Sequence, residues 1–383
     1  MEKVLAAGVT SISQPGGSYF IGVGLREGIK QGLVHGPRMT SAGRYLTTSN
    51  GLTDWFPDAT GNPESSIGKL TNTTAEMVDE IRRQAKAGVD LIKLADSPLR
   101  RLPGVHKRRA EAVRRPRSPT GQEDHHHARG GSAEVAAAVD AGFDHIMHGN
   151  HMNDETIAKL AASQIPLAPT QLFMHHIVEF AEISRNRQSI VDATARMNEA
   201  TMVSLHRAYA AGVKFAMGTD SGGFATVPYG QFHARELEML MLYTGMSALE
   251  AIQAGTKHGA PAVNLPDDVG VLAEGKLADI IVVDGDPLKN IRVLYTPGKI
   301  THVILNGAVQ TFPPEDIRTR FIRNNYLPPH EYGWELLTYE RVFEGGELPK
   351  TQLDWPREMR LDLVNDVRKY ETVGASVNGA AAE

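Results

Sequence analysis

The 383-residue chain contains no cysteine, which excludes disulfides, thiolate metal sites and cysteine nucleophiles together. Any metal it holds must sit on His, Asp, Glu or a modified Lys. No run of about 18 apolar residues occurs, so nothing reads as a transmembrane helix or a membrane partner. The N-terminal MEKVLAAGVTSISQPGG lacks both the basic start and the long apolar stretch of a signal peptide, and the chain reads as cytoplasmic. Strong charge is missing as well: the formal net charge is -5, which gives no overall footprint for nucleic acid. What is present is apolar material, 41% of residues, enough for a full globular core.

Short apolar runs alternate with amphipathic stretches. VTSIS is followed by the helical YFIGVGLREGIKQGL, RMTSAG by TAEMVDEIRRQAKAG, and then comes DLIKLAD. The alternation resumes with AEVAAAVDAG before FDHIMHG, DETIAKLAASQ before IPLAPT, and a long helical stretch before VKFAMGTDSGG. This is the signature of βαβ units and a parallel sheet. Strands are expected near 9–13, 38–42, 91–96, 125–129, 144–149, 165–170 and 215–220. Seven is one short of the eight that close a TIM (β/α)8 barrel. After residue 265, VGVLAEGKLADIIVVDGDPLKN and KITHVILNGAVQ read as short antiparallel strands with Gly and Asp turns. The expected organisation is an incomplete barrel over 1–265, a β appendage over 266–310, and a partly helical tail over 311–383 that carries Trp334 and Trp355 and is expected to pack on the surface or on a partner subunit.

Four expected strand ends carry polar residues: Lys93 in LIKLAD, His127 in HHHARG, His148 in IMHG and Asp220 in GTDSGG. Singly each is ordinary, since a strand-end His is often a satisfied core group and Asp-Ser-Gly can begin a turn. Together they fall at the same end of successive units, where a TIM barrel builds its site. A mixed N/O set of this kind suits zinc or a similar divalent ion.

In that order, and followed by TKHGAPAV and VGVLAEGKLADIIVVDGDP, these residues resemble the metal-dependent amidohydrolase superfamily, in the branch near imidazolonepropionases and prolidase-like enzymes. The closing pattern with Gly275, Lys276, Ala278 and Asp279 is the most specific piece. The resemblance covers roughly residues 5–310, and the length and tail also resemble the phenylurea and thiocarbamate herbicide hydrolases. It implies a carboxylated Lys93 bridging two metals, His127 and His148 binding one of them, and Asp220 binding metal and acting as general base. A bound divalent cation would lower the pKa of water toward about 7, and a nearby carboxylate could pass its proton to the leaving nitrogen. The implied fold is α/β, a TIM barrel lacking its first strand, with a small partial β-sandwich. The implied reaction is hydrolysis of a C–N bond in a small amide, urea or carbamate, a phenylurea-type herbicide included. A dipeptidase, a cyclic-amide hydrolase and a degenerate, non-catalytic barrel stay open as rivals. The substrate is a small molecule, and a homo-oligomer is expected.

The superfamily places an HxH pair on a first strand that this sequence lacks, since MEKVLAAGVTSI corresponds to the helix leading into the second strand. One or two metal ions are expected, and with HxH absent at most one, weakly held. Residues 98–117 hold eight Lys or Arg against one Glu, with no apolar strand before His127. A nucleic-acid patch is disfavoured there, because no aromatic is interleaved and no nucleic-acid motif occurs. Residues 99–126 fit translation out of frame better: one added base near residue 98 and one lost near 126 would restore an amphipathic helix and an apolar strand running into HARGG.

Three further residues are candidates for the pocket: Tyr45 after the third strand, and His175 and His176 after the seventh. Core packing competes evenly for each. His233 and Glu236, one helical turn apart, have the spacing of a metal pair, but a solvated or salt-linked helix face is the expectation. Gly218 is expected to allow a close backbone approach.

Overall fold

The computed structural model describes residues 1–95 apart from 55, 57, 58 and 60, the backbone of 121–123, and residues 131–181, 188–221, 227, 229, 230 and 232–312. A short helix α1 (Glu2–Ala6) leads into β1 (Ser11–Gln14), which pairs in parallel with β2 (Arg38–Ser41). Six further strands form one all-parallel sheet: β3 (Tyr45–Thr47), β4 (Gly68–Leu70), β5 (Ile92–Leu94), β6 (Gly121–Glu123), β7 (His145–Met147) and β8 (Leu167–Ala168), in the order β4-β3-β5-β6-β7-β8. Two isolated parallel bridges extend it. Ala42 to Leu91 ties the end of β2 to the passage of β5, and Leu167 to Phe215 adds a last passage beyond β8. Apart from β4, which flanks β3 on the side away from β5, the parallel passages follow one another in sequence order, as in a TIM-barrel-like α/β fold.

Helices return the chain between strands, and their ends are written locally. In α3 (Thr74–Lys86) Thr73 and Glu76 form a reciprocal capping box, and in α9 (Ala248–Gly255) Ser247 and Glu250 do the same. Asn153 caps α5 (Asp154–Ser163). The others are α2 (Ile21–Lys30), α4 (Gly131–Ala141), α6 (Gln171–Glu179), α7 (Gln188–Ala210) and α8 (Arg235–Thr244). Their apolar faces close on one core, in which Ile146, Leu167 and Phe215 of the strands meet Val135, Leu160, Leu205 and Leu240 of the helices. Burying each such side chain contributes roughly 1.5–3 kcal/mol.

Beyond the helices, β9 (Ile280–Val283), β10 (Ile300–Leu305) and β11 (Ala308–Val309) form an antiparallel three-stranded sheet. Asn306 and Gly307, both at positive φ, make its tight hairpin turn. The Arg38 guanidinium fastens this sheet to the start of β2 through Asp279, at 2.6 Å, and Asn306.

Three features differ from the sequence reading. Tyr45 lies inside a strand, β3, not in the loop after one, and β4 was not expected at all. The strand expected at 125–129 is at Gly121–Glu123, just past the arginine-rich stretch and before His127, where no apolar strand was on offer. Its slot between β5 and β7 is filled by backbone pairing (Lys93 with Gln122, Gln122 with His145), which any non-proline residue can supply. The remainder of 99–126 and the tail beyond residue 312 lie outside the described residues.

Candidate active site

Register fixes which side chains share a face. Lys93 pairs with Gln122 and Gln122 with His145, while the pairing of Leu46 with Leu94 sets Tyr45 beside Lys93. Lys93 is fully buried, and its stem carries Nζ to 3.1 Å from the Met147 sulfur and 5.4 Å from the centre of the Tyr45 ring. The cation therefore sits at the level of Met147, one residue short of His148. The sequence reading missed His145. Burial first, and the Lys93 charge second, hold its imidazole down at about 4, so it is neutral at physiological pH. Its strand position, inward and in register with Lys93, is the signal that marks it.

Three successive strand ends share an uncommon backbone. His148, Thr170 and Asp220 have φ of 69°, 53° and 53°, left-handed values that non-glycine residues adopt rarely and a β-branched Thr more rarely still. Each costs on the order of 1 kcal/mol or more, tolerated where the surroundings over-determine it. Gly218 explains part of the tightness: a Cβ there would lie 3.1 Å from the Ala168 Cβ and 3.3 Å from the Thr170 Cγ2.

A threonine hydroxyl meets the His148 ring. The Thr170 hydroxyl lies 2.8 Å from the Pro169 carbonyl and 2.5 Å from His148 Nδ1. A hydroxyl has one hydrogen. With that hydrogen on His148 Nδ1, the ring proton sits on Nε2; with it on Pro169, His148 Nδ1–H donates to Thr170 and Nε2 keeps its lone pair. The second is the tautomer a metal ligand bound through Nε2 needs, oriented as outer partners orient ligating histidines. The loops after β7 and β8 are tied a second time, by Gln171 Nε2 donating to Asn150 Oδ1 at 2.9 Å.

Around Asp220, its two neighbours are linked: Thr219 Oγ1 is 2.6 Å from Ser221 Oγ, which is 3.0 Å from His233 Nδ1. His233 and Glu236 are not on a solvated helix face, since both are buried. The Glu236 carboxylate accepts from the backbone N–H of Gln171 at 2.9 Å and of Leu172 at 2.7 Å, capping α6 in place of Thr170, whose side chain makes no cap. Burial, with Asp220 nearby, raises its carboxyl to about 8 against the pull of those two donors.

On α6, facing α8, His176 is buried and His175 half-buried. His176 Nε2 is 2.7 Å from Arg235 Nη1, and Arg235 also binds Glu179 and Glu238; His175 Nδ1 is 3.2 Å from the Tyr243 hydroxyl. Glu238 in turn accepts from Arg292 and Tyr295, so this network ties α6 and α8 to the segment before β10. Both histidines thus engage partners on α8. His127 lies outside the described residues.

Among the described residues no three His, Asp or Glu side chains gather as a metal cluster. The expected set includes His127, beyond them, and Lys93, which becomes a ligand only once modified. His148 and Asp220 supply a nitrogen and a carboxylate donor, types that a divalent cation accepts, from two strained strand ends flanking β8.

The amidohydrolase family profile matches residues 1–309. The chain belongs to the amidohydrolase family. Members of this family are hydrolases acting on C–N bonds, and they usually bind divalent metals. An ochratoxinase from Aspergillus niger is 26% identical over 341 residues, spanning 79% of this chain and 67% of that protein. The crystal structure of a Xaa-Pro dipeptidase with bound methionine superposes with a TM-score of 0.64 at 25% identity, over 81% of this chain and 77% of that one. Phenylurea hydrolase B shares the fold, with a TM-score of 0.54 at 20% identity over 81% and 75%. No helix among the described residues is long and apolar enough to cross a membrane.

Proposed function

We propose that this amidohydrolase cleaves the C–N bond of a small amide, urea or carbamate at a divalent metal, zinc or a close analogue, held by Lys93, His127, His148 and Asp220. The observation that carries the reading is that His148 and Asp220, both at left-handed φ, close passages of the parallel sheet that also carries Lys93, with the Thr170 hydroxyl 2.5 Å from His148 Nδ1. When bound, the metal would supply a water of lowered pKa and polarise the carbonyl of the substrate. The side chains have separate tasks. Asp220 takes a proton and hands it to the leaving nitrogen. Lys93, once carboxylated, offers two oxygens from a stem buried against Met147 and Tyr45. Tyr45 borders the same face and is placed to meet the substrate. In this reading the three-stranded sheet is part of a β-sandwich.

A dipeptidase is the second reading, favoured by the likeness to the Xaa-Pro dipeptidase. The test is a panel of anilides, phenylureas, carbamates and Xaa-Pro dipeptides, run with added Zn2+, after chelation, and with Asp220→Asn. The proposal expects chelator-sensitive turnover of an anilide, urea or carbamate that Asp220→Asn abolishes. Turnover of dipeptides alone would favour the second reading, and no turnover by a metal-loaded, folded chain would leave a non-catalytic barrel.

A further inference from the structure

We propose that Gly230 and residues 232–236, leading into α8, brace the site, with His233 and Glu236 as positioning residues that set Asp220 and His148. The inference rests on reading those two as metal ligands. It begins with the strain: left-handed backbone at Thr170 and Asp220 needs outside support, and this one segment reaches both.

At Asp220 the support has a direction. The Gly230 N–H donates to His233 Nε2 at 3.3 Å, so that nitrogen carries the lone pair. The ring is buried and neutral, hence its hydrogen is on Nδ1 and points to Ser221 Oγ at 3.0 Å. Ser221 then has its own hydrogen to give, and Thr219 Oγ1 stands 2.6 Å away. The chain from His233 through Ser221 to Thr219 grips the residues on both sides of Asp220. Neither hydroxyl can turn without breaking a link.

At His148 the support is one step longer. Both Glu236 oxygens accept from the first N–H groups of α6, those of Gln171 and Leu172. This anchors the helix start directly after Thr170, whose hydroxyl lies 2.5 Å from His148 Nδ1. Neither His233 nor Glu236 is placed among the reacting groups; each acts through a neighbour.

The test uses the full chain with 15N-labelled histidine. The imidazole nitrogen shifts are expected to show His233 protonated on Nδ1, the less common tautomer of a free neutral ring. His233→Leu removes the donor, whereas His233→Asn returns an N–H near the Nδ1 position. Co2+ titration is expected to show His233→Leu weakened about 10–100-fold, the usual cost of losing an outer-shell partner, with His233→Asn close to the parent. Glu236→Gln, which presents an amide N–H to a backbone N–H, is expected to weaken Co2+ binding about 10-fold and to mix the His148 tautomers. A His233 protonated on Nε2 would overturn the brace, as would folded His233→Leu and Glu236→Gln chains that bind Co2+ like the parent. The nitrogen shifts judge the brace even if the parent takes up no Co2+, a result that overturns the metal reading alone.

Discussion

Replacing Thr170 by Val removes one hydroxyl and nearly nothing else. The side chain stays β-branched, so the cost of its φ of 53° is unchanged. What disappears, in the tautomer that metal binding through Nε2 needs, is the acceptor 2.5 Å from His148 Nδ1, in a place where His148 is only 3% exposed. A buried N–H left without an acceptor costs about 1–3 kcal/mol. The ring can escape that cost by moving its hydrogen to Nε2, but that is the nitrogen a metal must use. Loss of such an outer partner typically weakens metal binding about 10–100-fold, which is roughly 1.4–2.7 kcal/mol. The two penalties are of equal size, so Thr170→Val is expected to show both, a mixed His148 tautomer and weaker Co2+ binding. Thr170→Ser, which keeps the hydroxyl, is expected to show neither. The assay is the 15N shift pair of His148 together with Co2+ titration. A Thr170→Val chain with an unchanged Nδ1-protonated His148 and undiminished affinity would refute the reasoning.

Other expectations concern stability and charge. His145, His175 and His233 are each held near 4 by burial, well below the usual 6.5. The unfolded chain therefore binds more protons between those values, and stability present above about pH 6.5 is lost as pH falls toward 4. The size is on the order of 3 kcal/mol per histidine, and a urea midpoint that stays flat from pH 7 to pH 4.5 would contradict it. Lys93→Met should abolish turnover while leaving the urea midpoint unchanged or higher, because a buried cation is replaced by an apolar chain of similar length. Leu160→Ala, at a fully buried position, should cost about 2–5 kcal/mol, whereas Leu33→Ala, 78% exposed, should stay within about 0.5 kcal/mol. Equal effects of the two on the urea midpoint would show that the core is misplaced.

Legibility followed periodicity. The helices at 21–30, 74–86 and 188–210 and most parallel strands could be read, because alternating burial writes a 3.6 or a 2 period into the residues. The three-residue strands at Tyr45 and Gly68 were too short to repeat any period. Gly121–Glu123 could not be read either, since its place is set by backbone pairing between two neighbours and GQE carries no apolar pattern. Of the proposed ligands, Lys93, His148 and Asp220 could be named from their place in or just after strands. Their support could not. Glu236 and Gln171 are 65 positions apart and His176 and Arg235 are 59 apart, distances that a single sequence does not connect. A helix-face spacing for His233 and Glu236 is compatible with water, metal or burial, and only tertiary packing selects burial.

The most direct test of the central claim is metal stoichiometry by equilibrium dialysis and mass spectrometry, comparing the full chain with His148→Ala and Asp220→Asn. The account predicts about one Zn2+ or Co2+ per parent chain, lost from both folded variants. A parent chain that takes up no metal, or variants that retain it in full, would contradict the placement of the site at these strand ends.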